Sequence, residues 1–421
     1  MSSRVILLVL GVALSLAAQT PVAPRADDDV ARRLFARADV VAAVEALKAR
    51  EPAILDDQVK LSEIPAPPFK EAVRAEAMRQ RFVAAGLSDV RLDALGNVLG
   101  VRRGKAARPH VVISAHIDTV FPEGTDVRVT RTGTVFKGPG IGDDARGLAV
   151  LVAIANALGT SPIQTAGTVT FVATVGEEGL GDIRGARHLV EKELAGTIDA
   201  FVSIDGLGLD VTNVGVGSRR YKVTFSGPGG HSYGAFGTAN PIHALGRAVA
   251  AVSDLTVPSS PRTTFNVGRI GGGTSVNAIP FEAWFEVDLR SSDGAALTAL
   301  DNRFRAMVDH AVAAENARWN KPGQVTATLT IVGDRPAGGT ADTAAIVRAA
   351  RAATVAVGER AALHEGSTDA NAAMYRGIPA ITIDGGGSGS GAHALDERFD
   401  STDSWKGTVR AFLLTLLLAG A

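Results

Sequence analysis

The sequence predicts an α/β fold into which a smaller α+β domain is inserted. Several strand candidates are continuous apolar runs, which are typical of strands covered by helices on both faces of a sheet. These strands alternate with amphipathic helices along most of the chain. Between Arg220 and Val332 the strands become half polar, which predicts a second sheet with one solvated face.

The larger domain is defined by its apolar strands and the helices between them. Strands are predicted at residues 97–101, 111–116, 168–175, 201–204 and 380–383. Helices are predicted at residues 148–158 and 187–194. The C-terminal "AFLLTLLLAGA" is too short to cross a membrane, so we expect a buried closing helix.

The smaller domain is predicted at residues 219–332, so that the larger domain comprises residues 27–218 and 333–421. Its elements follow the order β-α-β-β-α-β of the ferredoxin-like split unit, with helices at 241–252 and 296–317. In "FEAWFEVDLR" alternation predicts one apolar face, formed by Phe281, Ala283, Phe285, Val287 and Leu289.

Composition excludes several classes of function. The 421 residues carry a formal charge of −1, which leaves no broad basic surface for nucleic acid. Because the chain contains no cysteine, disulfides, thiolate nucleophiles and cysteine metal sites are excluded. A hydrophobic share of 46% suits a globular protein with a sizeable core.

Residues 1–18 are predicted to form a secretory signal peptide. Arg4 precedes an apolar run, and Ser15-Leu16-Ala17 fits a small-residue cleavage site. A membrane anchor is the alternative, but the run is shorter than the ~20 residues that a spanning helix needs. We therefore expect export to a periplasm or to the outside, without a stable membrane anchor.

His116 and Asp118 lie at the end of an apolar strand, where residues two apart share a side. A carboxylate that accepts a hydrogen bond from one ring nitrogen fixes the histidine tautomer. The other ring nitrogen is then free to bind a metal. For this pair alone, a core histidine satisfied by a neighbouring acid is the better interpretation.

Other segments repeat this feature, with acids or a histidine at or beyond the C-terminal end of an apolar strand or in a glycine-rich loop. These residues are Asp143, Asp144, Glu177, Glu178, Asp205 and His393. Each has a simpler explanation, since adjacent aspartates can cap a helix and paired glutamates can lie on a surface loop. Taken together, they predict a site at the C-terminal edge of the sheet, where open α/β sheets bind ligands.

The chemistry of these residues favours a pair of metal ions. Several carboxylates in a partly dry cleft are unfavourable unless cations neutralise them. Histidine and carboxylate ligands suit zinc, with cobalt or manganese as alternatives. If Asp143, Glu178 and Asp205 are ligands, two divalent ions and one hydroxide balance their charge, whereas one ion leaves the site negative.

The motifs now in view resemble those of the M20 metallopeptidases, the family that includes peptidase T, carboxypeptidase G2 and acetylornithine deacetylase. They occur in family order as "SAHIDTV", "GPGIGDDARG", "GEEGLGD", "SIDG", "GPGGHS", "TSVNAIP", "EVDLR" and "GAHALDE". The similarity covers most of the chain that follows the predicted signal. It implies a mixed-sheet zinc-exopeptidase catalytic domain with an inserted ferredoxin-like lid or dimerisation domain.

The resemblance also implies a ligand set. Asp143 would bridge two ions, with His116 and Asp205 on one ion. Glu178 and His393 would bind the other ion.

Two further roles follow from the same resemblance. Asp118 would be the acid that steadies the ligating histidine, and Glu177 would be the general base. A cis peptide bond would follow Asp143. Ala145 and Arg146 stand where many family members have a lysine, which bears on the subfamily.

In the inserted domain the resemblance implies three residues that contact the substrate or the tetrahedral intermediate: His231, Asn277 and Arg290. His231 would reach the site of a partner across a homodimer. The segment "EGSTDAN", residues 365–371, would form a loop in contact with substrate.

A serine hydrolase is the alternative from another class. "GHSYG" places Ser232 in a G-x-S-x-G match, and Asp384 and His393 follow in the order of α/β-hydrolases. A nucleophile elbow requires the serine directly between a strand and a helix, whereas "SGPGG" precedes it and the next helix begins near Pro241. This alternative also leaves the clustered acids unexplained. A non-catalytic binding protein with this fold is disfavoured because Glu177 and every implied ligand are present.

The sequence therefore predicts a dinuclear zinc-dependent hydrolase that cleaves amide bonds of short peptides. An exopeptidase, such as an aminopeptidase or a di- or tripeptidase, is the first choice because export favours the scavenging of peptides. An N-acyl-amino-acid deacylase with the same catalytic residues is the alternative.

Overall fold

The computed structural model describes the backbone of residues 26–421 and the side chains of residues 29–421. The predicted signal peptide, residues 1–18, lies outside this range. In the range described, the α-helices are α1 (Ala26–Phe35), α2 (Ala38–Ser62), α3 (Ala72–Ala84), α4 (Ala145–Thr160), α5 (Arg184–His188), α6 (Pro241–Ser253), α7 (Gly294–Arg318), α8 (Ala345–Ala356), α9 (Ala370–Tyr375) and α10 (Trp405–Ala419). A short 3₁₀ turn at Gly179–Gly181 and a π-helical turn at Leu189–Glu193 flank α5.

The strands fall into several sheets. In chain order they are β1 (Ser88–Leu92), β2 (Val98–Arg102), β3 (His110–His116), β4 (Thr130–Thr132), β5 (Val135–Lys137), β6 (Thr168–Thr174), β7 (Ala200–Ile204), β8 (Val211–Gly215), β9 (Gly217–Ser226), β10 (Gly230–His231), β11 (Thr263–Gly272), β12 (Ala278–Ile279), β13 (Glu282–Ser291), β14 (Thr326–Arg335), β15 (Gly338–Gly339), β16 (Leu363–Gly366), β17 (Ala380–Ile383), β18 (Ser388–Ser390) and β19 (Arg398–Asp400).

The central sheet is mixed, as the sequence predicted. Its strands lie in the order β1-β2-β6-β3-β7-β17-β8-β15, and β16 pairs with β8. Strand β3 runs parallel to both β6 and β7, and β17 runs parallel to β7. The carboxyl ends of these four strands therefore meet at one edge of the sheet.

Helices cover both faces of the central sheet, which explains why its strands are apolar throughout. On β3, Val111 and Ile113 belong to the core formed with α2, α3, α4, α8 and α10. Val112, which points to the opposite face, packs with residues of α5 and α9. The closing helix α10 is buried along most of its length, as predicted. No helix within residues 26–421 has the length and apolar character needed to cross a membrane.

The inserted sheet has the predicted ferredoxin-like order of strands. Its strands β11-β13-β9-β14 are all antiparallel and pack with α6 and α7. Ala283, Phe285, Val287 and Leu289 are buried on one face of β13. The prediction for Phe281 is wrong, because this residue precedes the strand and its side chain is 62% exposed.

Several helices differ from their predicted bounds. Helix α4 begins at Ala145, three residues earlier than predicted, because Asp144 caps it by accepting a hydrogen bond from the Gly147 N–H. The helix predicted at 187–194 begins at Arg184 and continues as the π-helical turn.

Candidate active site

Three neighbouring parallel strands deliver most of the candidate residues to one edge of the central sheet. His116 is the last residue of β3, Asp205 directly follows β7, and Glu177 lies three residues beyond β6. His393 reaches the same edge from the loop between β18 and β19. The predicted convergence of these segments is therefore present in the fold.

Asp143 lies between the two histidines. Its Oδ1 is 2.9 Å from His116 Nε2, and its Oδ2 is 3.1 Å from His393 Nε2. His393 Nε2 also lies 2.9 Å from Glu178 Oε1. Each oxygen of one carboxylate thus faces a different imidazole, which is the arrangement expected of an acid that bridges two cations.

The possible ligand atoms form compact groups, in each of which they lie within 4.8 Å of one another. His116, Asp143 and Asp205 form one such group, and Asp143, Glu178 and His393 form another. These two groups correspond to the two predicted ligand sets and share Asp143. A third group consists of His116, Glu177 and Glu178. The assignment of individual ligands stays a prediction.

The adjacent aspartates Asp143 and Asp144 have different environments, and the peptide bond between them is cis. The carboxylate of Asp144 accepts hydrogen bonds from the Gly147 N–H at 3.0 Å and from the His116 N–H at 3.0 Å. The helix-capping interpretation thus applies to Asp144, which ties the start of α4 to the end of β3. Asp143 is left free to face the histidines.

Asp118 contacts both His116 and the paired glutamates. His116 Nδ1 lies 3.0 Å from the Asp118 backbone oxygen, whereas the nearer carboxylate oxygen is 3.7 Å away. The carboxylate accepts the backbone N–H groups of Glu177 at 2.9 Å and Glu178 at 2.8 Å. Asp118 therefore orients His116 chiefly through its main chain and fixes the turn that carries both glutamates.

The electrostatics of the cluster favour the binding of cations. Burial, together with the charges of Asp143 and Glu177, raises the pKa of Glu178 to about 7. Burial likewise raises the pKa of Asp205 well above its ordinary value. Hydrogen bonding to Asp143 and the nearby charge of Glu178 raise the pKa of His393 to about 9. Positive charge beside these acids lowers the free energy of their ionised form, and divalent cations at this position would supply it.

Arg335 is a functional candidate that the sequence analysis missed. This arginine ends β14, is 5% exposed, and its Nη1 donates to Glu177 Oε1 at 2.9 Å. Burial raises the pKa of Glu177 despite the opposing positive charge of Arg335. No motif marked this arginine, because it lies 158 positions from Glu177 and only the fold brings the two together.

Glu397 is a second residue that the sequence analysis missed. Its carboxylate accepts the backbone N–H groups of Gly140 at 3.0 Å, Gly142 at 2.7 Å and Asp143 at 2.9 Å. One buried acid therefore holds the glycine-rich loop that presents Asp143. Its place in "GAHALDE", four residues after His393, was the available signal.

Arg146 is one of the two residues that stand where many family members are expected to have a lysine, and its side chain serves the packing of the core. It is fully buried, forms a 2.9 Å ion pair with Glu51, and donates to the carbonyl oxygens of Gly385 and Ser404 at 2.8 and 2.6 Å. These contacts join the start of α4 to α2 and to the start of α10. The departure from the family pattern thus lies away from the candidate ligands.

The residues predicted on the inserted segment lie apart from the cluster. His231 is exposed, and its Nδ1 accepts the N–H groups of Tyr233 and Gly234 at 3.2 and 3.3 Å. Asn277 is also exposed and accepts a hydrogen bond from Ser275 Oγ at 2.6 Å. Within residues 29–421, no hydrogen bond or ion pair joins either residue to the candidate ligands. Their predicted contact with substrate stays a prediction.

Arg290 lies at the junction of the inserted sheet and the "EGSTDAN" segment. Its Nε donates to Asp288 Oδ2 at 2.7 Å. It also lines a cavity of about 250 Å³, together with Val216, Arg262, Thr264, Glu365, Gly366 and Ser367. Of the three residues predicted on the inserted segment (His231, Asn277 and Arg290), Arg290 is the one that lines a cavity together with residues of the "EGSTDAN" segment.

The serine-hydrolase alternative lacks its constellation. The backbone N–H of Ser232 donates to the backbone carbonyl oxygen of Asn277 at 2.9 Å, whereas His393 contacts Asp143 and Glu178. Asp384 accepts the N–H of Asp210 at 2.8 Å. Across the described part of the chain, no hydrogen bond links Ser232, His393 and Asp384 into a triad.

Comparison with known proteins identifies the family. The sequence profile of peptidase family M20/M25/M40 matches residues 112–417, a range that contains every candidate ligand. The chain belongs to this family. It is therefore an M20 hydrolase, and its mixed α/β architecture is that of the family.

Relatives of the chain include a desuccinylase. The uncharacterized protein YqjE of Bacillus subtilis is 25% identical over 350 residues, which is 79% of this chain and 90% of YqjE. A succinyl-diaminopimelate desuccinylase of Nitrosospira multiformis is 27% identical over 246 residues, which is 54% of this chain and 64% of that enzyme. The M20 relatives thus include an enzyme that removes an acyl group.

Solved structures share the fold at low sequence identity. A tripeptidase of Staphylococcus aureus has a TM-score of 0.72 and 21% identity, and covers 87% of this chain and 98% of its own. YxeP of Bacillus subtilis, a dinuclear metal-binding peptidase of the M20 family, has a TM-score of 0.66 and 18% identity, and covers 88% and 99%. At these identities the likeness establishes the fold, and the M20 chain carries candidate residues for a dinuclear metal site.

Proposed function

We propose that this M20 hydrolase is a dinuclear zinc exopeptidase that cleaves amide bonds of short peptides. The observation that carries the proposal is the position of Asp143, whose two oxygens lie 2.9 and 3.1 Å from His116 and His393. An acid with one oxygen directed to each of two histidines suits a pair of cations better than it suits one.

The chain offers a complete donor set for two zinc ions. His116 and Asp205 would hold one ion, Glu178 and His393 the other, and Asp143 both. Imidazole and carboxylate donors fit zinc, and cobalt or manganese could substitute for it. When bound, such ions polarise an amide carbonyl and make a nearby water more acidic.

Glu177 would transfer the proton. Its carboxylate lies in a group with His116 and Glu178, so it borders the candidate ligands while a different acid bridges the histidines. It would accept a proton from the attacking water as the carbon–oxygen bond forms, and would return this proton to the amine nitrogen as the carbon–nitrogen bond breaks. The products are a carboxylic acid and an amine, and Glu177 is regenerated.

Arg290 would recognise the substrate. An arginine beside a cavity of about 250 Å³ can bind a carboxylate in bidentate geometry. A terminal carboxylate of a peptide or of an N-acyl amino acid would fit this position. His231 and Asn277 would act beside the reacting carbonyl after movement of the inserted sheet, or from a partner subunit in the predicted homodimer.

An N-acyl-amino-acid deacylase is the second candidate, because a desuccinylase is among the relatives. Both reactions hydrolyse an amide, so the proposed cluster serves either. The N-terminal sequence supports the peptidase, because an exported enzyme would meet peptides outside the cytosol.

The test is a panel of free, N-acetylated and C-amidated di- and tripeptides, assayed with added zinc. An aminopeptidase requires a free amino terminus, whereas a deacylase requires an N-acylated one. A chelator should abolish turnover, and a serine-directed phosphonate should leave it unchanged. Turnover that survives the chelator but not the phosphonate would overturn the proposal in favour of Ser232.

A further inference from the structure

Arg335 holds Glu177 from two directions. Its Nη1 donates to Glu177 Oε1 at 2.9 Å, and its Nη2 donates to the backbone carbonyl oxygen of the same glutamate. Both side chains are almost fully buried, with 6% of each exposed. A planar guanidinium that binds both the carboxylate of a glutamate and the backbone carbonyl of the same glutamate fixes the side-chain torsions between these two groups. Glu177 is therefore restricted to one orientation.

The turn that follows Glu177 is attached to the same strand. Asp182 Oδ2 accepts a hydrogen bond from the backbone N–H of Asp334 at 2.9 Å, and Arg187 Nη1 donates to the backbone carbonyl oxygen of Asp334 at 3.0 Å. Asp182 and the fully buried Ile183 have φ values of 57° and 52°. A β-branched residue seldom adopts this left-handed conformation, which persists where its surroundings impose it. The end of β14 is thus part of what shapes this turn.

We propose that Arg335 is a positioning residue for the reaction, acting through Glu177. This role rests on the proposed function, in which Glu177 carries the proton. By engaging Oε1, Arg335 directs the glutamate so that Oε2 is the oxygen that takes up the proton and returns it. Among the described residues, none donates a hydrogen bond to Oε2.

A purely structural role would give a different result. Arg335 also lies 3.3 Å from Ser367 Oγ and 3.9 Å from Asp182 Oδ1, so it could simply neutralise buried acids. In that case its loss would lower stability or metal binding, and its effect would be independent of Glu177. The positioning role instead requires that the two losses do not add.

The decisive experiment is a double-mutant cycle with Arg335→Ala, Glu177→Gln and the double variant, all loaded with zinc. Arg335→Ala should lower kcat about 100-fold, because misplacement of a catalytic group by about 1 Å has an effect of that size. The KM and the zinc content, measured by mass spectrometry of the dialysed protein, should stay near wild type. The double variant should be no slower than Glu177→Gln alone.

Chemical rescue adds an independent readout. Guanidinium ion should raise the kcat of Arg335→Ala at least about 10-fold, since it can occupy the space of the deleted group, and should not accelerate the wild type. Arg269→Ala is the control, because Arg269 is an exposed arginine of the same inserted sheet that pairs with Glu286 and not with Glu177. Its kcat should stay within about twofold of wild type.

The outcomes separate the two proposals. A wild type that hydrolyses none of the amide panel overturns the proposed function and this role with it. Wild-type turnover with multiplicative losses in the cycle, or with reduced zinc content in Arg335→Ala, overturns the role of Arg335 alone. If Arg335→Ala fails to fold by circular dichroism, Arg335→Lys replaces it in the cycle. Lysine keeps the charge but not the planar fork, so a wild-type kcat in that variant also overturns the role.

Discussion

The edge of the central sheet and the inserted sheet contribute to the candidate site in different ways. At the edge, Asp143 already lies within hydrogen-bonding distance of both His116 and His393. On the inserted segment, His231 and Asn277 are exposed and make their hydrogen bonds to neighbours within the same segment. The first region is assembled by strand pairing, whereas the contribution proposed for the second depends on where the inserted sheet lies relative to substrate.

This difference separates two parts of catalysis. A preassembled cluster can bind cations without any conformational change, so metal binding should be a property of the central sheet. The exposed residues of the inserted segment, His231 and Asn277, would contribute only once substrate is bound, so their loss should alter substrate affinity more than metal content.

Metal removal is the prediction with the largest expected effect. Dialysis against a chelator should lower amide hydrolysis at least about 1,000-fold, because both polarisation of the carbonyl and activation of water are lost. Activity should return on titration with zinc, with saturation near two ions per chain by calorimetry. Full activity in a preparation shown to be metal-free would contradict this prediction, because the residues at the edge of the central sheet would then not act by binding metal ions.

Glu177→Gln should have the next largest effect, a fall in kcat of about 100- to 10,000-fold, because glutamine cannot take up the proton. Zinc content should be unchanged, since Glu177 is not among the proposed ligands. Glu45→Gln is a suitable control, as Glu45 is exposed and pairs with Lys48 on α2. If Glu177→Gln lost its zinc and the control did not, Glu177 would be a ligand and not the base.

The convergence of strand ends at the edge of the central sheet could be predicted because the information for it is local. An apolar strand that ends in His116, and another that is followed directly by Asp205, specify both the sheet and the side chains at its edge. Parallel pairing then brings these strand ends to the same edge. The adjacent pairs Asp143–Asp144 and Glu177–Glu178 were more difficult, because residue type alone does not distinguish a helix cap from a ligand. The hydrogen bonds to Asp144 identify it as the helix cap, and the role of Asp143 as a ligand stays a prediction.

The supporting residues could not be predicted in the same way. Arg335 and Glu397 lie 158 and 254 positions from the residues that they hold, Glu177 and Asp143. An arginine at the end of a half-polar strand is commonplace, and its partner is defined only by the packing of β14 against the turn after β6. Contacts of this kind belong to tertiary structure, and no periodicity or motif in the chain announces them.

Arg290→Ala tests whether the inserted sheet contributes to substrate binding and not to metal binding. Loss of a charged hydrogen bond to a substrate carboxylate should raise KM about 10- to 100-fold, with a smaller change in kcat and no change in zinc content. Arg269→Ala is the matched control, because Arg269 is an exposed arginine of the same sheet that pairs with Glu286. If C-amidated and free substrates were affected equally, Arg290 would not be binding a carboxylate.

The smallest expected effect is a pH dependence of stability confined to the central edge. In the metal-free chain the folded-state pKa is raised to about 7 for Glu178 and to about 9 for His393. A raised folded-state pKa means that the folded state binds the proton more tightly, so this stabilisation is complete at low pH and is lost as pH rises. The metal-free protein should therefore lose stability between about pH 5 and pH 9, and zinc should reduce the loss because it replaces these protons.

Chemical denaturation with and without zinc measures this loss of stability, and hydrogen exchange shows which strands lose protection. Loss of protection should appear in β3, β6 and β7 and not in β9 and β13; equal loss in both sheets would mean that the two regions do not titrate separately.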